Sequence, residues 1–358
     1  MQVFGSPGRY YQGKDLVQRL DELSAYLGNK AALVTDQKVA GFLTSPVQTA
    51  LAKRGATVSA YTFDGELTQD LVDQLAAQIA ITTHDFVIAA GGGKGVDAGK
   101  AVAHKLGLPL MALPTAASTD SPTSKNYVLY DENHRMTGVF HMDRNPDTVL
   151  VDTSILASAP PILLKYGIGD AIAKKFEARQ CAWASGRNMF GERPTATALA
   201  LANACYDTLR INAEAALQCA GSGDPNPAFE ATVEATILMA GLGFESGGLS
   251  IAHALTRGLP FIPGLGAAPH GFLISYGLMV QLKLERNAAA EHVDLWNWLP
   301  RVGLPRSLQD LGVPDPEGLD LDLVAEKIAA APHMANFERK ISHAELITAM
   351  KNPAPNEA

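Results

Sequence analysis

Short runs of aliphatic and β-branched residues alternate with helix-length amphipathic segments through the first half of the chain. Ala31–Thr35 (Ala-Ala-Leu-Val-Thr), bounded by Asn29-Lys30 and Asp36, predicts a buried strand, and Thr57–Tyr61, Phe86–Ala90 and Leu108–Leu113 predict three more. Helical spacing covers Asp15–Leu27, Thr44–Lys53, Thr68–Thr82 and Gly95–Leu106. Strands and helices alternating at these lengths predict parallel βαβ units with right-handed crossovers. In such sheets ligands sit at the carboxyl ends of the strands, so the loops of interest follow Thr35, Ala90 and Leu113.

The texture changes at Pro160-Pro161. From Ile162 onward alanine and leucine dominate, and long helical patterns such as Pro194–Ala220 and Asn226–Leu242 follow one another, separated by loops at Gly221–Pro227 and Pro260–Gly266. The expectation is an α/β domain over residues 1–160 and an all-α domain over 161–358, with a frayed tail from Asn352.

A length of 358 residues suits two such domains, and 47% hydrophobic with 18% charged residues places the chain among globular proteins. The net charge of -8 argues against a nucleic-acid partner or an anionic lipid surface, both of which select basic proteins. The amino terminus lacks the pattern of a signal peptide, and no apolar stretch reaches the roughly 18 residues needed to span a bilayer. Three cysteines, Cys181, Cys205 and Cys219, form no C-x-x-C motif. Together these features lead us to expect a cytoplasmic protein with reduced thiols and no membrane association.

Chemistry first enters at Gly91-Gly92-Gly93-Lys94-Gly95-Val96-Asp97-Ala98-Gly99-Lys100, which follows one strand and opens a helix. Three glycines remove every Cβ from the turn, so backbone N–H groups at a helix start can approach a pyrophosphate. The spacing is neither the common G-x-G-x-x-G fingerprint nor a Walker loop, and a plain strand-to-helix turn would look the same. Asp36 ends the first strong strand. A carboxylate there can accept from ribose hydroxyls and repels a 2′-phosphate, which favours NAD over NADP, although Asp is also common in strand-end turns.

In the second half Asp170 follows Tyr166-Gly167-Ile168-Gly169, His253 interrupts the apolar Ser250–Leu255, and His270 follows Ala268-Pro269. One carboxylate and two imidazoles suit an open catalytic site for zinc or another divalent ion. Taken singly, Asp170 equally suits a helix N-cap, and each histidine is more often a hydrogen-bonded core residue.

Gly91–Lys100 matches the G-G-G-x-x-x-D-x-x-K signature of the iron-containing alcohol dehydrogenase superfamily. Pro114–Ser124 (P-T-A-A-S-T-D-S-P-T-S), Gly167–Ala178 (G-I-G-D-A-I-A-K-K-F-E-A), Gly241–Ala254, His270-Gly271 and Pro7–Tyr10 resemble segments of its glycerol dehydrogenase family. The resemblance implies a dehydroquinate synthase-like fold, with an α/β dinucleotide-binding domain, a helical domain and an active-site cleft between them. It implies metal ligation by Asp170, His253 and His270, and a substrate contact at Asp120. It also implies NAD contacts at Asp36, Lys94, Asp97, Thr115, Ser118, Ser124 and Tyr130 beside the Gly91-Gly92-Gly93 turn. Homo-oligomers are implied as well. Iron-holding members often carry a histidine four residues after the metal aspartate; Lys174 stands there, so a three-ligand zinc site is expected, with Fe2+ as the alternative.

The implied reaction is NAD-linked, reversible oxidation of the secondary alcohol of glycerol or a related vicinal diol. Lys125 and Lys174, where relatives have neutral residues, read either as solvated surface cations or as partners for the anion of a 2-hydroxy acid or phosphorylated polyol. A 3-dehydroquinate-synthase-like lyase is disfavoured because its substrate-binding lysines and arginines are not recognisable. A binding protein that kept the fold and lost the chemistry is disfavoured because the glycine turn and all three candidate ligands are present.

Overall fold

A computed structural model describes residues 1–132 and 135–356 of the chain. The chain divides into two compact units, Gly5–Leu163 with Cys219–Ile237, and Met1–Phe4 with Leu164–Gln218 and Leu238–Ala358.

The first unit is built on a six-stranded parallel sheet. Its strands are β1 (Arg9–Gly13), β2 (Lys30–Asp36), β3 (Thr57–Phe63), β4 (Phe86–Gly91), β5 (Leu110–Pro114) and β8 (Thr148–Asp152), in the order β1-β8-β5-β4-β2-β3. A hairpin, β6 (Asn126–Tyr130) and β7 (Met136–His141), stands apart as an antiparallel pair. The four strands expected from the sequence are all present. β5 begins two residues late because Pro109 has no N–H to give a ladder; its carbonyl instead accepts from Val87 N at 2.9 Å.

Alternate residues of the central strands feed two cores. Ala31, Leu33, Phe86, Ile88 and Ala90 pack on one face with Val39, Leu43 and Val47 of helix α1 (Gln37–Ala52). Ala32, Val34, Val87 and Ala89 pack on the other with Val72 and Leu75 of α2 (Gln69–Ile79) and Ala98 and Val102 of α3 (Gly93–Leu106). The period of two thus sorts side chains into a three-layer sandwich. The segment Asp15–Leu27, expected as one helix, is instead short pieces: 3-10 at Leu16–Arg19 and Ala25–Leu27 around an α turn at Leu20–Leu23.

Residues 219–237 belong with the sheet although they follow the long helix Ala196–Cys219. Helix Pro227–Glu234, capped by Asn226, places Glu230 where it accepts from Gln12 Nε2 at 2.9 Å and Thr153 Oγ1 at 2.6 Å. A single cut at residue 160 therefore does not describe this unit.

The second unit is helical, and among its described residues only the isolated bridge between Gln2 and Arg193 is strand-like. Its core gathers around the fully buried Tyr276, whose hydroxyl donates to the Met350 carbonyl at 2.8 Å. The tail is docked, because Lys283 Nζ donates to the Ala354 carbonyl at 2.7 Å and the His292 ring bonds the Pro353 carbonyl at 2.8 Å. Residues 357 and 358 of the expected frayed tail lie outside the described residues.

Helices α4 (Pro161–Ala171), α5 (Lys174–Trp183), α6 (Ala196–Cys219), α7 (Ile251–Ala254) and α8 (His270–Leu284) follow in chain order, and α4, α5, α7 and α8 carry the side chains of the candidate centre. Where α4 meets α8, glycines face backbone directly: a Cβ on Gly271 would overlap the Tyr166 carbonyl, and one on Gly169 would overlap the Gly271 carbonyl. Replacing Gly271 with Ala is expected to push these helices apart and to destabilise the fold at the upper end of the ~1–3 kcal/mol range for overpacking. Urea denaturation measures this; a midpoint equal to that of the parent would show that the crossing is not constrained.

Candidate metal centre and strand-end site

The helix crossing puts Asp170 and His270 side by side, since Asp170 follows Gly169 and His270 precedes Gly271. Asp170 lies in the last turn of α4, not at a helix head, and caps nothing. His253 arrives on α7. One ligand atom from each of Asp170, His253 and His270 lies within 4.8 Å of the others. Asp170 Oδ1 is 3.3 Å from His253 Nε2 and 3.7 Å from His270 Nε2. Donors about 2.0–2.1 Å from a tetrahedral ion sit about 3.3 Å apart, so the set fits a divalent metal with small side-chain adjustments. Asp170 and His253 are buried, whereas the His270 side chain is half-exposed.

Two further residues complete the cluster: Glu177, which sequence reasoning did not place here, and Lys174, which it placed at the position of a fourth ligand. Glu177, fully buried on α5, accepts from His253 Nδ1 at 2.5 Å through Oε2 and from the backbone N–H groups of Ser250 and His253, both at 2.9 Å, through Oε1. One carboxylate thus caps the start of α7 and orients its histidine, the acceptor a ligating imidazole needs. Lys174, expected as a surface cation or an anion partner, is buried at 1% exposure. Its ammonium donates to Asp170 Oδ1 at 2.7 Å and lies 3.1 Å from His253 Nε2. Asp170, Lys174 and Glu177 are spaced i, i+4, i+7, one face of a helical path, and that spacing was the signal available in the sequence.

The charges hold one another. Burial pushes the Asp170 carboxyl up, but Lys174 and the two histidines more than reverse this and hold it well below the ordinary carboxylate range. Burial raises Glu177, but His253, Lys174 and the Ser250 N–H together lower it below its ordinary value. Burial lowers His253, yet Glu177 and Asp170 together raise it above the ordinary value. An ammonium at 3.1 Å nevertheless calls for a lone pair on Nε2, which is the neutral ring protonated at Nδ1.

In the sheet unit the residues after β2, β4 and β5 meet at one edge. Val34 pairs with Ala89 and Gly91 with Pro114, so Asp36, the glycine turn and Thr115 end neighbouring strands. The chain runs outward from β2 to β3 and returns to β4, which makes the β2–β4 junction the point where strand order reverses. Gly91 has φ +144°, and a Cβ on Gly95 would come within 2.5 Å of the Ala90 carbonyl oxygen. Helix α3 starts at this turn with no side-chain cap on its N–H groups.

The other expected contacts are placed as follows. Asp36 caps α1 through Oδ1, accepting from Lys38 N at 2.9 Å and Val39 N at 3.0 Å, while its Oδ2 lies toward Gly91. Lys94 leans away from the turn to the Gly65 carbonyl and Glu66, both at 3.1 Å. Asp97 accepts from Ser121 Oγ at 2.5 Å and Val128 N at 3.0 Å, and burial raises its pKa despite Lys100 nearby. It therefore ties α3 to the loop and hairpin. Thr115 N donates to the Gly91 carbonyl at 2.9 Å. Ser118 is half-buried, Asp120 and Ser124 are buried, and Tyr130 is half-buried at the end of β6. Lys100, singled out only as part of the motif, is fully buried and donates to the carbonyls of Ser121 at 2.5 Å and Asn126 at 2.7 Å. Lys125 is half-buried, and its carbonyl accepts from Met142 N at 2.9 Å.

The profile of the iron-containing alcohol dehydrogenase family matches residues 7–153, which lie in the sheet unit. The chain is 38% identical to a glycerol dehydrogenase of Escherichia coli over 92% of its own length and 89% of that protein. The chain belongs to the iron-containing alcohol dehydrogenase family. As a member it is an alcohol oxidoreductase. It is also similar to a glycolaldehyde reductase of Halobacterium salinarum, at 37% identity over 90% of this chain and 89% of the other. Among solved structures it superposes on the glycerol dehydrogenase of Schizosaccharomyces pombe with a TM-score of 0.93 and 30% identity, covering 99% of this chain and 90% of that one. No single helix among the described residues is long and apolar enough to cross a membrane.

Because Glu177 fixes the ring of His253, Glu177→Gln is expected to place an amide N–H against Nδ1–H and turn the imidazole. Affinity for a divalent ion should fall about 10–100-fold. Competition with a chromophoric chelator measures this, and an unchanged affinity would separate Glu177 from the centre.

Proposed function

We propose that this oxidoreductase is an NAD-linked, zinc-dependent dehydrogenase that reversibly converts the secondary alcohol of glycerol or a related vicinal diol to the ketone. The observation that carries the reading is the meeting of Asp170, His253 and His270 on one point, with Glu177 orienting His253. Asp170, His253 and His270 would hold the ion. A divalent ion there supplies a Lewis acid that lowers the pKa of an alcohol oxygen, and the nicotinamide supplies the hydride acceptor. Zinc is favoured over Fe2+ because Lys174 stands where iron-holding relatives often carry a fourth ligand.

The cofactor assignment rests on the carboxyl edge of the sheet. The uncapped N–H groups of α3 behind Gly91, Gly92 and Gly93 suit a pyrophosphate, and Asp36 suits an adenosine ribose. Thr115, Ser118, Ser124 and Tyr130 remain candidate contacts, whereas Lys94 and Asp97 are held by protein groups and would serve by shaping the loop. Asp120 remains the candidate acceptor for a substrate hydroxyl. Glycerol and reduced glycolaldehyde share neighbouring hydroxyls, which fits the names of two relatives. The 2-hydroxy-acid reading is weakened, because the Lys174 side chain is buried at 1% exposure and is not presented to solvent as an anion partner would be. We further propose a cytoplasmic homo-oligomer, as the resemblance implies.

Purified protein is expected to carry stoichiometric metal and to reduce NAD with glycerol and propane-1,2-diol, more weakly with propan-2-ol, and least with 2-hydroxybutyrate. His253→Ala should lose the metal and turnover while keeping NAD affinity, since its neighbours lie in the helical unit. Full turnover by metal-free His253→Ala protein would end the proposal.

Asp36 is expected to disfavour NADP, by a few kcal/mol at most on the scale of one like-charge contact in a partly desolvated pocket. Steady-state kinetics with both cofactors test it: equal kcat/KM for NAD and NADP would remove Asp36 from this role.

A further inference from the structure

Lys174 stands in the metal centre without a part in the proposed chemistry. Its ammonium lies 2.7 Å from Asp170 Oδ1 and 3.1 Å from His253 Nε2, the same two lone pairs a divalent ion would need. It is fully buried and 5.2 Å from the centre of the Phe244 ring, whose face also favours a cation. The position is fixed locally: four residues beyond Asp170 on the helical path of α4 and α5, the side chain lies along the same face. The lysine is thus part of the centre's architecture and is not a chance neighbour of it.

We propose that Lys174 is a built-in competitor for the metal. In metal-free protein its ammonium bridges Asp170 and His253 and keeps a buried carboxylate paired. A divalent ion and the ammonium cannot hold the same oxygen and nitrogen at once, so loading the ion displaces Lys174 from both contacts. Two consequences follow. The metal-free centre stays ordered, because one cation replaces the other. Net metal affinity is lower than the ligand set alone would give, since every binding event must break the two ammonium contacts. This inference rests on the reading of Asp170, His253 and His270 as metal ligands.

The test is Zn2+ affinity, read by competition with a chromophoric chelator, in the wild type and in Lys174→Met. Removing the competitor is expected to tighten Zn2+ binding by about 10- to 150-fold, the equivalent of one charge-assisted hydrogen bond. Metal-free Lys174→Met should also melt lower than metal-free wild type, because Asp170 loses its partner, and should gain more on adding Zn2+. Should the methionine variant fail to fold, Lys174→Gln makes the same comparison, with a neutral donor left facing Asp170. Equal Zn2+ affinity in variant and wild type overturns the proposal and leaves the metal reading standing. Weaker affinity in the variant overturns it in favour of Lys174 as a neutral amine ligand. No Zn2+ binding by either protein overturns the proposal together with the metal reading.

Discussion

Backbone packed on backbone at the α4–α8 crossing sets the terms for everything around it. Gly169 and Gly271 let two helices approach until carbonyl groups occupy the space that side chains would normally fill. The residues flanking these glycines are Asp170 and His270, so the approach that removes two Cβ atoms also delivers two candidate ligands to one place. A wider crossing would leave each of them facing its own helix. The centre therefore depends less on the reach of its side chains than on how closely their backbones are allowed to lie, which is why a single methyl group at Gly271 matters to chemistry several bonds away.

Burying this many ionisable groups is expensive unless each is paired, and both units solve the problem with a fully buried lysine. In the helical unit Lys174 sits against Asp170 and His253, and Glu177 closes the far side of the histidine. In the sheet unit Lys100 binds the backbone carbonyls of Ser121, in the loop after β5, and of Asn126, at the start of β6, close to the Asp97 carboxylate that accepts from Ser121. The two lysines differ in what they fasten. Lys100 holds main chain in place and has no evident rival, whereas Lys174 faces side-chain atoms that a metal could claim.

The α/β half was legible because its signals are local. β2, β3, β4 and β5 are runs of apolar and β-branched residues, and their helices repeat at ordinary spacing. β8, Thr-Val-Leu-Val-Asp, and β6, Asn-Tyr-Val-Leu-Tyr, obey the same rule and are absent from the expected strands, while the partly polar edge strand β1 and the half-exposed β7 carry no buried run to announce them. Helix α1 starts earlier than its apolar pattern because Asp36 caps it, so one carboxylate serves both helix and strand end. Asp170, His253 and His270 were found as residue types, and with the resemblance as a set, but their convergence depends on a helix crossing that no spacing in the sequence encodes. Glu177 carries no mark of its role, because a carboxylate on the charge-rich helix α5 looks solvated until His253 packs over it, whereas Lys174 stands out against the resemblance at the fourth-ligand position but gives no sign of its burial.

The return of residues 219–237 to the sheet unit governs how the chain can be made. A ribosome that has released Leu163 has supplied every strand of the sheet, yet Gln12 and Thr153 still wait for Glu230. The segment that brings Glu230 emerges only after Leu164–Gln218, which belongs to the other unit. At ordinary rates of synthesis that interval lasts roughly 4–15 s, far longer than a helix or hairpin takes to form. During it the nascent sheet stands with one flank uncovered, the kind of surface that chaperones recognise on incomplete domains. Fragments ending near residue 163 inherit that same uncovered flank permanently.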